Sequence, residues 1–182
     1  MTTASDPLDV RLADLAEVAE RTDGAVVLEH VPFLTQVNLR LDPGLAERAP
    51  YPLPREPNTS WEEGPRAALW LGPDEWLILG PPHVGNEIVA ELGAALSGIH
   101  HSLVDVSANR VAFEISGPRA KETLSKGCSL DLHPRAWTTG MCAQTELGKA
   151  QVILHERAGT TGIAVRTSFA DYMVDWFLAA TG

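Results

Sequence analysis

The sequence is poor in cysteine and in basic residues, and each shortage excludes a class of protein. Cys128 and Cys142 are the two cysteines among 182 residues, and neither has a partner at CxxC spacing. A disulfide framework and a cysteine-rich zinc site are therefore excluded. Asp and Glu outnumber Lys and Arg by 24 to 14, which gives a formal net charge of −10. Because such a surface repels phosphates and anionic lipids, we expect neither nucleic acid nor membrane as a partner.

The sequence also lacks long apolar runs and the glycine-rich motifs of common enzymes. No run of about 18 apolar residues occurs, and the first ten residues contain neither a basic run nor an apolar segment. We therefore expect a soluble, cytoplasmic protein. GxGxxG, GxxxxGK[ST] and GxSxG motifs are all absent from the sequence, so we expect no bound nucleotide and no hydrolase nucleophile elbow.

Apolar residues are abundant enough for a core. They make up 45% of the chain, which predicts one domain over residues 1–182 with an N-terminal arm to about residue 24. The spacing of four apolar residues predicts a short helix or a wrapped arm there: Val10, Leu12, Leu15 and Val18.

Residues 42–66 hold six of the thirteen prolines. This density predicts an extended surface excursion without regular structure. Because prolines lower the entropy lost when a loop is immobilised on a partner, we expect this segment to contact another chain. Aromatic anchors often dominate interface energetics, so the candidate contact residues are Tyr51, Trp61, Trp70 and Trp76. For the two tryptophans of the following hairpin, Trp70 and Trp76, a core position is the alternative.

Apolar periodicity predicts the secondary structure of the remaining chain. Single strands are predicted at 36–42, 102–107, 110–116 and 162–168, with hairpins at 68–80 and 141–156. Helices are predicted at 87–98, 118–127 and 168–180, the last with Ser168 and Asp171 as a capping box. Residues 67–97 and 141–180 look like weak echoes of one hairpin-plus-helix unit. The order predicts an α+β fold of antiparallel sheets with helices on one side, arranged as two split-βαβ-like halves.

Three groups of residues could carry chemistry. Asp105, Asn109 and Arg110 could orient a substrate carboxylate, or they could fix a bend by bonding to the backbone. His100 and His101 are adjacent on an extended segment, so they point to opposite faces and are poor joint ligands for one metal.

Cys128 and His133 form the third group. They could act as a nucleophile and base in a hydrolase, provided that they lie within hydrogen-bond reach and that the pKa of the thiol is lowered. Sequence shows neither condition, and Cys128 is equally suited to a small core position.

Four segments together resemble the gamma subunit of heterotetrameric sarcosine oxidase, over roughly residues 26–180. They are LWLGPDEWLILG, VDVSANRVAFEISGPRAKETLSKGCSLDL, CAQTELGKAQVILHE and VRTSFADYMVDWFL. That subunit is similar in fold to the folate-binding aminomethyltransferase, the T-protein of the glycine cleavage system. The resemblance implies a complex of alpha, beta, gamma and delta chains, in which gamma contacts chiefly alpha.

The resemblance also implies the reaction. The complex oxidises sarcosine to glycine, passes the one-carbon unit to tetrahydrofolate or releases formaldehyde, and forms hydrogen peroxide. FAD, FMN, NAD, tetrahydrofolate and zinc are expected in the partner subunits and no cofactor in this chain. The chain is then a structural subunit of an oxidoreductase, with no catalytic or metal-binding residue of its own.

One departure from the T-protein pattern supports this expectation. Where the T-protein has adjacent acidic residues, including its catalytic carboxylate, this chain has Ala150 and Gln151. A neutral amide can neither act as a base nor stabilise a developing iminium ion by its charge. The alternative is a self-standing folate-dependent aminomethyltransferase or folate-binding regulator, which a carboxylate facing a pocket near residues 148–152 would favour.

Overall fold

The computed structural model describes residues 8–182, and its strands form two sheets. The strands are β1 (Val27–Val31), β2 (Thr35–Leu41), β3 (Ser60–Glu63), β4 (Arg66–Gly72), β5 (Glu75–Gly80), β6 (His101–Asp105), β7 (Arg110–Ser116), β8 (Cys142–Leu147), β9 (Ala150–Arg157) and β10 (Thr160–Arg166). The α-helices are α1 (Leu12–Arg21), α2 (Gly85–Ala95), α3 (Ala120–Ser125) and α4 (Ala170–Ala180). Both sheets are antiparallel, which confirms the predicted α+β class.

The chain divides into two compact units that are interleaved in sequence. The first unit comprises the described residues up to Pro32 together with Asn109–Thr139 and Gln144–Gly182. The second comprises Phe33–Ala108 and Gly140–Ala143. That the whole chain behaves as one domain stays a prediction.

The two sheets have the same strand order. In the first unit the order is β8-β9-β10-β7-β1, and in the second it is β3-β4-β5-β2-β6. Each contains a three-stranded meander followed by a helix, α4 after β10 and α2 after β5. The predicted internal echo exists, but its alignment was one strand out. The hairpin β4-β5 corresponds to β9-β10 and not to β8-β9. The prediction missed this correspondence because the short strand β3 lies in a segment predicted to be irregular.

The proline-rich segment contributes to the core of the second unit. Pro43–Arg48 forms a 3₁₀-helix, and β3 pairs with β4, so the prediction of no regular structure was wrong for these residues. Ala46 and Leu53 are buried in a cluster with Trp76 and the apolar face of α2. The prolines do not prevent this burial, because an extended segment can cover a sheet without an internal hydrogen-bond ladder.

The first unit packs its helices with aromatic and aliphatic side chains. Phe177 of α4 meets Phe113 of β7 with ring centroids 6.3 Å apart, and both are almost completely buried. Helix α1 buries Leu15 and Val18, as its spacing predicted. Val10 and Leu12, the other two apolar residues of the predicted spacing, are exposed, because the first turn, Asp9–Arg11, is a 3₁₀-helix that shifts the periodicity.

The start of α4 differs from the sequence prediction. Ser168 lies within a 3₁₀-helix, Thr167–Phe169, and Phe169 occupies the N-cap without a side-chain hydrogen bond. The predicted capping box of Ser168 and Asp171 is therefore not formed. Asp171 instead accepts a hydrogen bond from Arg11 at 3.3 Å, and Arg11 also contacts Asp175 at 2.6 Å. These contacts raise the pKa of the Arg11 guanidinium, because hydrogen bonds to carboxylates favour its charged form.

Candidate functional site

A polar cleft of about 440 Å³ opens beside the β8-β9 hairpin of the first unit. Its lining includes the guanidinium groups of Arg110 and Arg166, the carboxylate of Glu146 and the amides of Gln144 and Gln151. Ser129 and Thr145 add hydroxyl groups. The cleft therefore offers many hydrogen-bond donors and few apolar surfaces.

Strand pairing places the two arginines of the cleft. Arg110 is the first residue of β7 and Arg166 is the last residue of β10. The two strands run antiparallel with Arg110 directly opposite Arg166. Cβ atoms of residues directly opposite each other are about 5 Å apart, so two positive charges are held close together at one edge of the cleft.

The turn of the β8-β9 hairpin is fixed by α4 and by Gly127, two residues beyond the end of α3. Gly148 has φ of +61°, and a Cβ at this position would lie 2.5 Å from the Tyr172 hydroxyl oxygen. The amide of Gly148 donates to the carbonyl of Gly127 at 2.9 Å, and the amide of Lys149 donates to the Tyr172 hydroxyl at 2.9 Å. A glycine is needed here for both its backbone conformation and its missing side chain.

This turn determines the environment of the two positions at which the T-protein resemblance implies acidic residues. Ala150 is completely buried, so its surroundings would not accept a solvated carboxylate. Gln151 is exposed and lines the cleft. A carboxylate is nevertheless present in the cleft, on Glu146 of the preceding strand.

The predicted contact residues lie in the second unit and differ in exposure. Tyr51 and Trp61 stack with parallel rings, 5.6 Å between centroids and 3° between planes, and each is half-buried. Burial raises the pKa of Tyr51, with a further increase from the charge of Glu91, so its hydroxyl stays protonated. Trp70 is also half-buried.

Trp76 is a core residue. Its side chain has no exposed surface, and its indole Nε1 donates to the carbonyl of Pro54 at 2.7 Å. Trp76 therefore has no surface for a partner, and this contact prediction was wrong. The core alternative holds because the inward position on β5 meets the proline-rich segment.

The proline-rich segment forms a shallow groove of about 470 Å³ on the second unit. Its walls come from residues 46–55 and include Tyr51 and Arg55. Arg55 makes an exposed ion pair with Glu47 at 3.1 Å. We call the groove, the Tyr51–Trp61 stack and Trp70 together the contact surface.

Asp105 has the structural role that the sequence left open. Its Oδ1 accepts hydrogen bonds from the amide of Ser107 at 2.9 Å and from the Ser107 hydroxyl at 2.5 Å. Its Oδ2 lies against Gly85 at the start of α2, where a Cβ would be 2.0 Å away. Asn109 ends a 3₁₀-helix, and Arg110 lines the polar cleft.

Cys128 and His133 are not arranged as a nucleophile and its base. Cys128 is buried, and its Sγ lies 3.8 Å from the Thr145 hydroxyl. His133 is exposed, and its Nδ1 accepts from the amide of Arg135 at 3.2 Å. These contacts give the thiol no base, so they do not support a hydrolase.

Histidine contacts likewise fit a structural role. His101 Nδ1 lies 2.8 Å from the carbonyl of Ile99, and the neighbouring His100 is exposed. Residues 8–182 contain no cluster of three or more His, Cys, Asp or Glu side chains that could hold a metal ion. In the same part of the chain, no helix is long and apolar enough to cross a membrane.

Sequence analysis missed Arg166, Glu146 and Glu156. Glu156 is buried in β9, and its carboxylate accepts hydrogen bonds from the Trp137 indole at 2.8 Å and the Thr161 hydroxyl at 2.6 Å. The Lys121 ammonium forms an ion pair with the same carboxylate at 2.7 Å. These partners are distant in sequence, so no local pattern shows them. The Arg110–Arg166 pair could have been found only by pairing β7 with β10 in the correct register.

Solved structures with this fold include an aminomethyltransferase. Aminomethyltransferase T of the glycine cleavage system from Bartonella henselae matches with a TM-score of 0.66 at 14% identity, over 91% of this chain and 48% of that chain. An identity this low shows the fold alone. A chain in the structure of heterotetrameric sarcosine oxidase from Corynebacterium sp. U-96 in complex with pyrrole 2-carboxylate matches with a TM-score of 0.88 at 31% identity, over 98% and 94% of the two chains.

Sequence comparison gives the family. The chain is 40% identical to the sarcosine oxidase subunit gamma of Corynebacterium sp. (strain P-1) and 39% identical to that of Arthrobacter sp., in each case over 87% of this chain and 81% of the relative. The fold defines the class, an α+β protein built like aminomethyltransferase T. The family model for the sarcosine oxidase gamma subunit matches residues 58–182, and the chain belongs to this family.

Proposed function

We propose that this chain is a non-catalytic assembly subunit of a heterotetrameric sarcosine oxidase. Membership of the gamma-subunit family supports a place in such a complex. The residues at the start of β9 support the non-catalytic role. Ala150 is buried and Gln151 is neutral, so neither supplies the carboxylate that the T-protein resemblance implies at these positions. The chain would act by burying apolar surface of a partner, which raises the population of the assembled state.

The proposed complex oxidatively demethylates sarcosine to glycine in the cytoplasm. The one-carbon unit passes to tetrahydrofolate or leaves as formaldehyde, and hydrogen peroxide is formed. FAD, FMN, NAD, tetrahydrofolate and zinc would bind to the partner subunits. In this division of labour the present chain holds no cofactor.

The proposed partners are the alpha, beta and delta subunits, chiefly alpha, and the proposed contact surface lies on the second unit. Tyr51, Trp61 and Trp70 keep part of their surface accessible, and the groove lies beside the first of them. Half-buried aromatic rings held by a core lose little entropy when a partner covers them. They are suited to serve as anchors for this reason.

The contact surface can be tested by co-purification with the alpha subunit. Trp61→Ala is expected to reduce recovery of alpha at least tenfold, because truncating an interface anchor commonly costs about 2 kcal/mol or more. Phe169→Ala is the matched control, since it removes a partly exposed aromatic ring from the first unit. Trp61 also packs against the core, so Arg55→Glu, at an exposed position of the groove, provides a second test. Unchanged recovery with both variants would contradict the proposed surface.

A second candidate function is that of a folate-dependent aminomethyltransferase or folate-binding regulator. The observation that favours it is Glu146, a carboxylate in a cleft beside the β8-β9 hairpin. Folate binding by the purified chain, measured by titration calorimetry, separates the two candidates. Under the assembly proposal the chain alone binds no folate, and saturable binding that is lost in Glu146→Gln would favour the transferase.

A further inference from the structure

Two arginines face each other across the strand pair at the polar cleft. Arg110 and Arg166 occupy directly opposite positions on β7 and β10. Like charges at directly opposite positions destabilise a sheet. Arg166 is exposed. The fold thus holds two positive charges together in a protein whose net charge is −10.

The second unit has an arginine near the opposite end of the equivalent strand pair, β2 and β5. Arg40 of β2 lies opposite Glu75 of β5. Its guanidinium contacts the Glu75 carboxylate at 3.1 Å and the Asp74 carboxylate at 2.8 Å. Arg40 therefore has carboxylates of the chain itself as partners. At the cleft, by contrast, the residue opposite Arg166 is a second arginine, Arg110.

The other polar groups of the cleft suit a small anion. Gln144, Gln151, Ser129 and Thr145 can all donate hydrogen bonds, and Glu146 contributes one negative charge. A guanidinium binds a carboxylate through two parallel hydrogen bonds, and two guanidinium groups can neutralise one or two negative charges. Glu146 and the acidic protein disfavour a ligand with more charge, such as a polyphosphate.

We infer that the cleft of the first unit is a carboxylate-binding site in which Arg166 is a direct ligand. The carboxylate has two possible sources, a small free acid or an Asp or Glu side chain of a partner subunit. The inference goes beyond the assembly role, since the proposed contact surface lies on the second unit. Failure of the Trp61 and Arg55 tests would leave the cleft unaffected, and failure of the cleft tests would leave the contact surface unaffected.

The first experiment uses malonate as the probe on the purified full-length chain. Melting temperature is recorded against malonate concentration, with sodium chloride added to keep the ionic strength constant. The wild type is expected to show a saturable rise, because a ligand that binds only the folded state stabilises it. Arg166→Gln is expected to weaken the apparent Kd by about tenfold or more, and Arg166→Lys, which keeps the charge without the fork, by less.

Arg135→Gln is the matched control for this experiment. Arg135 is an exposed arginine of the first unit that does not line the cleft. Its variant is expected to respond to malonate like the wild type. In buffer without malonate, Arg166→Gln is expected to melt no lower than the wild type, because the substitution removes a like-charge pair. This measurement separates loss of the site from loss of the fold.

The second experiment identifies the source of the carboxylate. Arg166→Glu and Arg135→Glu are each co-expressed with the partner subunits, and co-purification is measured. Malonate stabilisation that depends on Arg166 indicates a free carboxylate. Absence of a malonate response, with co-purification lost only in Arg166→Glu, indicates an acidic side chain of a partner. Equal behaviour of the Arg166 and Arg135 variants in both experiments would overturn the inference.

Discussion

The two units share one strand order and cover their sheets differently. In the second unit, the connection between β2 and β3 is the proline-rich segment, which buries Ala46 and Leu53 against the sheet beside α2. In the first unit, the corresponding connection between β7 and β8 contains α3, which buries Thr123 and Leu124. The comparison shows that an extended proline-rich chain can replace a helix as a layer of a core. Proline content alone therefore does not distinguish a surface loop from a core layer.

The units also differ in the partners that surround their charged side chains. The second unit places Arg40 beside Asp74 and Glu75 at an exposed strand end. The first unit buries the carboxylate of Glu156 with three donors, and it places two opposed arginines at the cleft. The first unit therefore carries both the buried network of Glu156 and the candidate ligand site.

The largest expected effect comes from breaking the buried network of the first unit. Glu156→Ala is expected to lower the free energy of unfolding by about 3–5 kcal/mol, because it leaves the buried donors of Trp137 and Thr161 without their acceptor and removes the ion-pair partner of the half-buried Lys121. Glu29→Ala, at an exposed position on β1, is the control and should change it by less than about 0.5 kcal/mol. Urea unfolding followed by circular dichroism measures both. Similar curves for the two variants would show that the network contributes little.

The next effect tests whether the proline-rich segment is a core layer. Leu53→Ala is expected to cost about 2–4 kcal/mol of unfolding free energy, since it removes a buried leucine and leaves a cavity. Leu45→Ala changes a leucine of the same segment that is 37% exposed, against 7% for Leu53. It should cost less than about 1 kcal/mol. Equal and small losses in the same urea assay would mean that the segment is only a surface loop.

A smaller effect concerns the turn that fixes the cleft. Gly148→Ala is expected to cost about 1–3 kcal/mol, because alanine is strained at a φ of +61° and its Cβ would meet the Tyr172 hydroxyl. Gly159→Ala is the control: its φ is +84°, but its Cβ would meet nothing within 4 Å. The difference between the two melting temperatures isolates the steric part. No difference would indicate that Tyr172 yields without cost.

The smallest effect is a pH dependence in the second unit. Burial raises the pKa of the Cys142 thiol from 9.0 to about 11, and a smaller opposite contribution comes from the backbone of Trp70. Because the folded state holds this proton more tightly, the contribution of the thiol is fully present below pH 9 and is lost as the pH rises toward 11.

Urea unfolding of the wild type and of Cys142→Ala between pH 8 and pH 11 checks this dependence. The advantage of the wild type over the variant is expected to shrink across that range. Titrating lysines and tyrosines affect both proteins alike, so the difference reports the thiol. An advantage that stays constant or grows would contradict the assigned direction.

Much of the fold follows from the local pattern of the sequence. Apolar periodicity predicted strands at 36–42 and 110–116 and a hairpin at 68–80, and the structure contains β2, β7 and the β4-β5 hairpin there. These features depend on neighbouring residues, which sequence displays directly. The prediction that the proline-rich segment is an irregular surface excursion was wrong, since the burial of Leu53 depends on distant β2, β5 and α2.

The cleft illustrates the same limit. Arg110 was predicted either to orient a substrate carboxylate or to fix a bend, but Arg166, which faces it, lies at the end of another strand. Their proximity depends on the register between β7 and β10, in which a shift of one residue would move every side chain to the other face. The residue type of Arg110 therefore indicated that it could bind a carboxylate. Only the pairing of β7 with β10 shows that Arg166 lies beside it.

The assembly role is tested most directly by leaving this chain out. The alpha, beta and delta subunits are co-expressed with and without it, and flavin absorbance and sarcosine turnover of the purified material are recorded, with the lone chain as a reference. We predict a colourless, inactive lone chain and a complex that is lost or inactive when the chain is omitted. Flavin bound to the lone chain, or full turnover by a complex assembled without it, would contradict the account.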